Sequence, residues 1–323
     1  MISLGIESTA HTFGVGVVND GKILSSEFSV YRPEKGWGII PLNAAKFHVE
    51  NSDFIIQRAL EKAGIGAEDV DIISFSQGPG LPPCLKIGLA KAKEFSEKYG
   101  KPIVPVNHCI SHIEVGRLTT NAKDPVTVYV SGGNTQILAF SEGRYRCFGE
   151  TMDIGLGNAL DKTGREIGLD FPAGPKIEAL AKNGNWIDLP YVVKGMDLSF
   201  SGIVTECVKR HKAGEKLENI CFSLQETCFA MLTEVTERAL AHLGKNEILL
   251  TGGVAANKRL QEMLKTMCEE RGASFHAVQK EYSVDNGAMI AYTGLLMHTS
   301  GRVPKILDIL PSQRTDDVEV TWI

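Results

Sequence analysis

Val126-Thr127-Val128-Tyr129-Val130, Ser131-Gly132-Gly133-Asn134 and Thr135-Gln136-Ile137-Leu138-Ala139-Phe140 read as strand, tight turn and strand. Branched and aromatic residues fill both runs, and the glycine pair gives the backbone freedom a short reversal needs. The same pattern opens the chain. Ile2 to Ile6 is apolar, Glu7 to His11 is small and polar, and Thr12 to Val18 is rich in Gly and Val. A third strand, Lys22 to Phe28, follows the Asn19-Asp20-Gly21 turn. Helical spacing then covers Ala44 to Ala63, and the apolar strand Val70 to Ser76 runs into Gln77-Gly78-Pro79-Gly80. A helix over Cys84 to Tyr99, a strand over Pro102 to Val106 and a segment from Asn107 complete the first round. After Asp124-Pro125 the hairpin starts the order again, with insertions between Gly149 and Gly202. Glu247 to Leu250 reads as a strand, Asn257 to Arg271 as a helix, and Asn286 to Met297 as a buried helix. Strands alternating with helices, twice over, predict α/β layers with a site where loops converge between the halves.

The 323 residues carry 34 Lys and Arg against 39 Asp and Glu, a net charge of −5. That balance argues against a stand-alone nucleic-acid binder, while leaving room for a local basic face or basic partners. A composition of 43% hydrophobic, 23% charged and 7% aromatic residues excludes a disordered or fibrous chain. No apolar run approaches the roughly 18 residues of a membrane span, and Met1-Ile2-Ser3-Leu4-Gly5 lacks a basic leader. The seven cysteines, odd in number and without a C-x-x-C pair, read as reduced thiols of a cytoplasmic protein.

Two glycine-rich loops invite an anion. Ser131-Gly132-Gly133-Asn134-Thr135 reads either as a plain turn or as a nest of N–H groups, and Thr251-Gly252-Gly253 sits between a strand and a helix start. Neither a Walker loop nor a dinucleotide fingerprint is present; Gly14-Val15-Gly16 lies within a strand. His108 and His112, four apart, would share one helix face as ligands of a metal. Cys109 stands where a zinc protease needs its glutamate. Asp285, at a helix start, reads as an oxygen ligand or as a cap. Asp161, Glu178 and Asn257 beside glycine-rich segments read as solvated, capping or binding residues, and Lys86, Lys91, Lys93 and Lys98 as a wet helix face or an RNA contact.

Seven segments then carry a resemblance. They are Gly5 to Thr12 (GIESTAHT), Ser76 to Gly80 (SQGPG), Asn107 to His112 (NHCISH), Tyr129 to Gln136 (YVSGGNTQ), Lys194 to Gly202 (KGMDLSFSG), Gly252 to Asn257 (GGVAAN) and Asp285 to Ala291 (DNGAMIA). In this order they resemble the TsaD family across nearly the whole chain, and the Ala-His-Thr opening is similar to its archaeal and eukaryotic branch, the catalytic subunit of the KEOPS complex. The resemblance implies the two-lobed actin-like ATPase (ASKHA) fold with duplicated βββαβα-type lobes and a central cleft. The expected division is residues 1–122 for the first lobe, 123–284 for the second with its insertions, and 285–323 for a C-terminal helix and tail packing back on the first.

It also implies transfer of a threonylcarbamoyl group from threonylcarbamoyl-AMP to N6 of the adenosine beside the anticodon in tRNAs reading ANN codons, with AMP released. Carried over motif by motif, the metal ligands would be His108, His112, Asp285 and Tyr129, for a divalent ion, iron or zinc. Tyr129, Val130, Ser131, Gly132 and Gly133 would hold the phosphate and acyl end of the adenylate or of ATP. Asp161, Gly174 and Glu178 would hold the ribose, Asn257 would reach the nucleotide, and Glu7 would align the reacting end as a catalytic residue. The implied partners are tRNA, a small dimeric subunit and a kinase-like subunit, separate or fused, with no membrane. Leu42-Asn43, Leu81 to Cys84 and Ala173 depart from the family pattern. A small-molecule kinase or ATPase of the same fold is the alternative; such kinases carry an acidic Asp-x-Gly-type loop where this chain has Glu7-Ser8-Thr9.

Overall fold

The computed structural model of the chain describes every residue except Lys35, Gly36 and Lys305. Strand β1 (Ile2–Glu7) pairs antiparallel with β2 (Thr12–Asn19), and β2 with β3 (Lys22–Val30). Helix α1 (Pro41–Ala63), β4 (Ile72–Gly78), α2 (Pro82–Tyr99), β5 (Ile103–Asn107) and α3 (His108–Thr120) follow. The sheet order is β3-β2-β1-β4-β5, with β4 parallel to both β1 and β5. Helix α1 starts three residues before Ala44, because Pro41 sits in its first turn, where a missing N–H costs nothing.

The second round is β6 (Val126–Val130), β7 (Thr135–Ser141), β8 (Arg144–Glu150), α4 (Leu156–Glu166) and α5 (Gly174–Ala181). The two-residue strands β9 (Val193–Lys194) and β10 (Asp197–Leu198) precede α6 (Ser201–Lys212), α7 (Leu217–Leu243) and β11 (Glu247–Thr251). Then come α8 (Lys258–Arg271), β12 (Ser274–Ala277), α9 (Lys280–Ser283) and α10 (Gly287–Thr299). The order β12-β11-β6-β7-β8 repeats the first sheet: a three-strand meander, then two strands running parallel to its first member. The duplication seen in the hydropathy pattern is thus present in the strand pairing, and the fold is the actin-like one.

The chain divides into two compact units. The first comprises Met1–Thr119, Ser141–Tyr145 and Val284–Ile323, and the second Thr120–Phe140 with Arg146–Ser283. In the first, Leu4, Ile6, Phe13, Val15, Ile73 and Phe75 of the sheet are buried with Ile55 of α1 and Phe95 of α2. In the second, Val126, Val128 and Leu250 pack with Leu160, Ile177, Leu224, Phe229 and Leu232. Each such side chain contributes about 1.5–3 kcal/mol by leaving water.

Helix α10 lies across β1 and β2 with its backbone against theirs. A Cβ on Gly5 would stand 2.1 Å from Ala291 N, and one on Gly16 2.2 Å from Ala288 N. Glycines that would otherwise weaken a strand here admit a helix at backbone distance. The seam fixes where α10 begins, and therefore where Asp285 arrives. All seven cysteines are free, and burial pushes the Cys207 and Cys221 thiols up to about 12. Among the described residues no helix is long and apolar enough to cross a membrane.

Candidate functional site

Helix α3 starts directly at the end of β5, so His108 is its first residue and His112 lies one turn on. The Asn107 side chain starts the helix, its Oδ1 accepting the Ile110 N–H at 3.1 Å. The two imidazoles are 4.8 Å apart between centroids and nearly perpendicular, at 85°. Asp285 comes from the segment before α10, and it does not cap that helix. Asn286 does, its Oδ1 accepting the Met289 N–H at 2.9 Å. The capping reading of Asp285 is corrected: its Oδ1 lies 3.3 Å from His112 Nε2 and 3.6 Å from His108 Nε2.

The three donor atoms lie within 4.8 Å of one another. Two imidazole nitrogens and a carboxylate oxygen at this spacing suit one divalent transition ion, which needs bonds of about 2.0–2.2 Å. Behind His108, Glu7 Oε2 stands 2.9 Å from Nδ1. The other Glu7 oxygen accepts the Thr9 N–H at 2.7 Å and its hydroxyl at 2.5 Å. The carboxylate is fully buried and pinned at both oxygens. The His108 Nδ1 side is therefore taken, and Nε2 faces Asp285, the arrangement of a metal-binding histidine with its supporting carboxylate.

The charges agree with this geometry. Burial disfavours a charged His108 ring, but the charge and hydrogen bond of Glu7, with Asp285 behind them, hold it up at about 9. Burial pushes His112 below the ordinary imidazole value; its bond to Asp285 opposes this and the neighbouring His108 adds to it. Burial would raise Asp285, yet the His112 hydrogen bond and both imidazoles hold it well below the carboxylate range. A pocket of anionic oxygens that favours a proton on His108 favours a cation for the same reason.

The second unit gathers the other expected residues, Tyr129 among them as a fully buried member of β6. The loop after β6 closes on itself, with Ser131 N–H donating to Asn134 O at 2.8 Å and Asn134 N–H to Ser131 Oγ at 3.1 Å. Its carbonyls cap α4: Gly157 N–H donates to Ser131 O and Asn158 N–H to Gly132 O, at 3.1 and 2.9 Å. Nothing larger than glycine fits at 157, where a Cβ would stand 2.6 Å from Ser131 O. Gly252, at φ 97°, brings the other glycine loop against the same strand end, since a Cβ there would meet Val130 O at 2.3 Å.

From α4 a chain of side-chain bonds leads onward. Asp161 Oδ1 accepts the Ala173 N–H at 2.7 Å, beside Gly174 at the start of α5. Glu178 on α5 accepts the Lys258 N–H at 2.8 Å. Asn257 caps that same α8, accepting from Arg259 and Leu260 N–H, and donates to Gln225 Oε1 at 2.6 Å. Asp161, Gly174, Glu178 and Asn257 therefore belong to one bonded constellation, in which three side chains also have capping or bridging work.

A profile of the family described as TsaD, tRNA N6-adenosine threonylcarbamoyltransferase, matches residues 22–292. A protein of that name from Thermococcus sibiricus is 56% identical over 326 residues, covering both chains in full. The chain belongs to the TsaD family. A second TsaD relative, from Archaeoglobus fulgidus, is 53% identical over 325 residues, again over both full lengths. A probable bifunctional tRNA threonylcarbamoyladenosine biosynthesis protein of Methanocaldococcus jannaschii is 52% identical, covering all of this chain and 61% of that one. Among solved structures, full-length HypF in a phosphate- and nucleotide-bound form superposes with a TM-score of 0.63 at 11% identity, over 92% of this chain and 55% of that one. The activator of 2-hydroxyisocaproyl-CoA dehydratase from Clostridium difficile gives 0.56 at 12%, over 95% and 99%. At such identities the structures speak for the fold alone. As a TsaD-family chain the protein is a tRNA N6-adenosine threonylcarbamoyltransferase, with a His-His-Asp group able to hold a metal.

Four residues of this TsaD site escaped the sequence reading: Thr9, Asn107, Gln225 and Asn286. Each bonds a residue that was singled out or the helix that carries it. Asn107 and Asn286 had a local signal, each an amide three residues before the N–H it caps.

Proposed function

We propose that His108, His112 and Asp285, with Tyr129 as a further oxygen ligand, hold the divalent ion of the transfer reaction, iron or zinc. The observation that carries this reading is the convergence of the two Nε2 atoms on Asp285 Oδ1, with Glu7 fixing His108 from behind. A divalent ion there would polarise the carbamoyl carbonyl and offset charge on the departing phosphate. In the reaction the adenosine N6 bonds to the carbamoyl carbon, the carbon–oxygen bond to AMP breaks with its electron pair going to the phosphate oxygen, and N6 gives up one proton, to the departing phosphate or to water. Glu7 orients rather than reacts: both of its oxygens are engaged by Thr9 and His108.

The adenylate, or ATP, is assigned to the second unit. The loop from Tyr129 to Gly133 would take the phosphate and acyl end, since the Ser131 and Gly132 carbonyls turn into α4 and the Gly132 and Gly133 amides are the ones offered to an anion. Asp161, Gly174 and Glu178 would hold the ribose, and Asn257 would reach the nucleotide. The second adenosine comes from a tRNA reading ANN codons. A KEOPS complex with a small dimeric and a kinase-like subunit is the proposed setting, supported by the fused relative of Methanocaldococcus jannaschii, whose name is bifunctional. The cytoplasm is its proposed location.

The test is transfer of labelled threonine into ANN-reading tRNA with a cognate adenylate synthase and partner subunits. Wild type is expected to incorporate label and His108→Ala to lose it together with its metal. Equal incorporation by both would overturn the metal-centred reading, and tRNA-independent ATP turnover without transfer would favour a kinase or ATPase.

A further inference from the structure

Among the described residues beyond α10 there is no regular element except the 3-10 turn Thr315–Asp317, and most of their side chains face water. The bonds of this tail are not those of a loose end. Gln77 Nε2 donates to the carbonyls of Ile306 and Asp308 at 2.9 and 2.8 Å, Leu310 N–H to Gln77 O at 2.8 Å, and Gly80 N–H to Pro311 O at 3.1 Å. Farther on, Arg144 Nη1 donates to Asp316 O at 2.9 Å and Val320 N–H to Gly143 O at 2.8 Å. Thr315 and Val320 are buried.

Two of its bonds grip α3. Asn107 Nδ2 donates to Gln313 Oε1 at 3.1 Å, while the same side chain starts the helix through Ile110 N–H. Trp322 Nε1 donates to Glu114 Oε1 at 2.8 Å. Glu114, also buried, accepts from Tyr145 Oη at 2.8 Å and pairs with Arg117 at 3.1 Å. Burial and the Glu114 carboxylate push the Tyr145 phenol well up, so it remains a donor.

Asn107 is the last residue of β5 and caps the first turn of α3, and Glu114 lies nearly two turns along that helix. His108 and His112 lie between them in sequence, about 120° and 160° round the helix from Glu114. Holding α3 at its cap and again at Glu114 leaves the helix little freedom to turn about its axis. A turn of about 20° would carry an atom at the helix's outer radius by about 2 Å. Metal bonds tolerate about 0.2 Å.

We propose that the C-terminal tail positions the metal donors, with Gln313 and Trp322 fixing the rotation of α3 through Asn107 and Glu114. The inference rests on the metal reading of His108, His112 and Asp285. Gln313 and Trp322 are positioning residues: neither bonds His108, His112 or Asp285, and their effect passes through the helix. A tail that merely added stability would change the unfolding temperature and leave a folded protein's metal affinity alone.

The experiment is a Co2+ titration of the metal-free full chain, read by calorimetry and by the visible absorption of the bound ion, at a temperature where circular dichroism shows each variant folded. The doubly substituted Gln313→Ala/Trp322→Phe chain is expected to bind Co2+ about tenfold more weakly, with a changed absorption spectrum. Gln313→Glu, which keeps an oxygen for Asn107, is expected to behave as wild type. If the double variant does not fold, Trp322→Phe alone decides, with about threefold weaker binding, less than the outer-shell range because only one of the two holds is lost, and the same spectral change expected. Wild-type affinity and spectrum in the folded tail variants would overturn the inference while leaving the metal reading intact. Wild type binding no more Co2+ than His112→Ala would overturn the metal reading and the inference with it.

Discussion

Glu7 Oε2 lies 2.9 Å from His108 Nδ1, although the two residues are 101 positions apart. The pairing links the end of β1 to the first turn of α3 and decides which ring nitrogen faces Asp285. Glu7→Gln keeps the shape and loses the charge, so it is expected to weaken metal binding 10- to 100-fold, about the range for a carboxylate behind a metal-bound histidine. Metal content after gel filtration, set beside threonylcarbamoyl transfer, checks this. Full metal occupancy with lost transfer would instead place Glu7 on the reacting groups.

Metal removal makes a second prediction. Wild type treated with a chelator should fall to the transfer rate of Asp285→Asn and recover on addition of Fe2+ or Zn2+, whereas the variant should not recover. The amide keeps an oxygen but cannot supply the negative charge that makes a cation favourable beside two imidazoles. Recovery of the variant at equal metal would show that Asp285 is not a ligand.

His48 predicts a pH dependence of folding. Its Nε2 donates to Ala10 O at 3.0 Å, and burial, set against that bond and the Glu7 charge, pushes the ring from 6.5 down to about 4. Between those values the unfolded chain takes up a proton that the folded ring refuses. Stability should therefore fall as the pH drops from about 6.5 to about 4 and level off below, a loss of up to about 3 kcal/mol. His48→Gln, with an amide N–H for Ala10 and nothing to titrate, should remove that slope. Urea midpoints measured across the range for both chains are the check, and parallel curves would refute it.

Gly157 and Gly133 make a matched pair. A Cβ at Gly157 would collide with Ser131 O, whereas one at Gly133 meets nothing within 4 Å. Gly157→Ala should cost about 1–3 kcal/mol, the range for forced overpacking, and reduce adenine-nucleotide binding by distorting the loop. Gly133→Ala should leave stability near wild type. Metal affinity, whose donors His108, His112 and Asp285 belong to the other unit, should survive both changes.

The hairpins were legible because alternation and paired glycines are local properties of the chain. Ile2 to Val18 and Val126 to Phe140 needed no distant partner to be read. The stretch from Gly149 to Gly202 was not legible. Its elements are held by distant groups, such as the Asp153 carboxylate accepting from Phe200 and Ser201 N–H, which no spacing reveals. Strand β4 starts at Ile72 instead of Val70, because a 3-10 turn at Ala67–Asp69 occupies the run-in. At the site, the spacing of His108 and His112 announced a shared face. What Asp285 contributes depended on Asn286 taking the cap, and adjacent polar residues cannot be told apart by position alone. The tail carries no hydropathy pattern because its bonds run mostly through backbone carbonyls and single side chains.

The glycine seam between α10 and the first sheet also sets an order of events during synthesis. Strands β1 and β2 leave the ribosome ahead of the second unit, yet the helix that covers them, and the aspartate that joins the histidine pair, come only after it. The second unit is finished earlier along the chain and is free to fold while the first still waits for its closing layer. A nascent chain stalled short of Gly287 would hold a sheet with an open apolar face, which makes that stage the one most exposed to misfolding and most dependent on a chaperone.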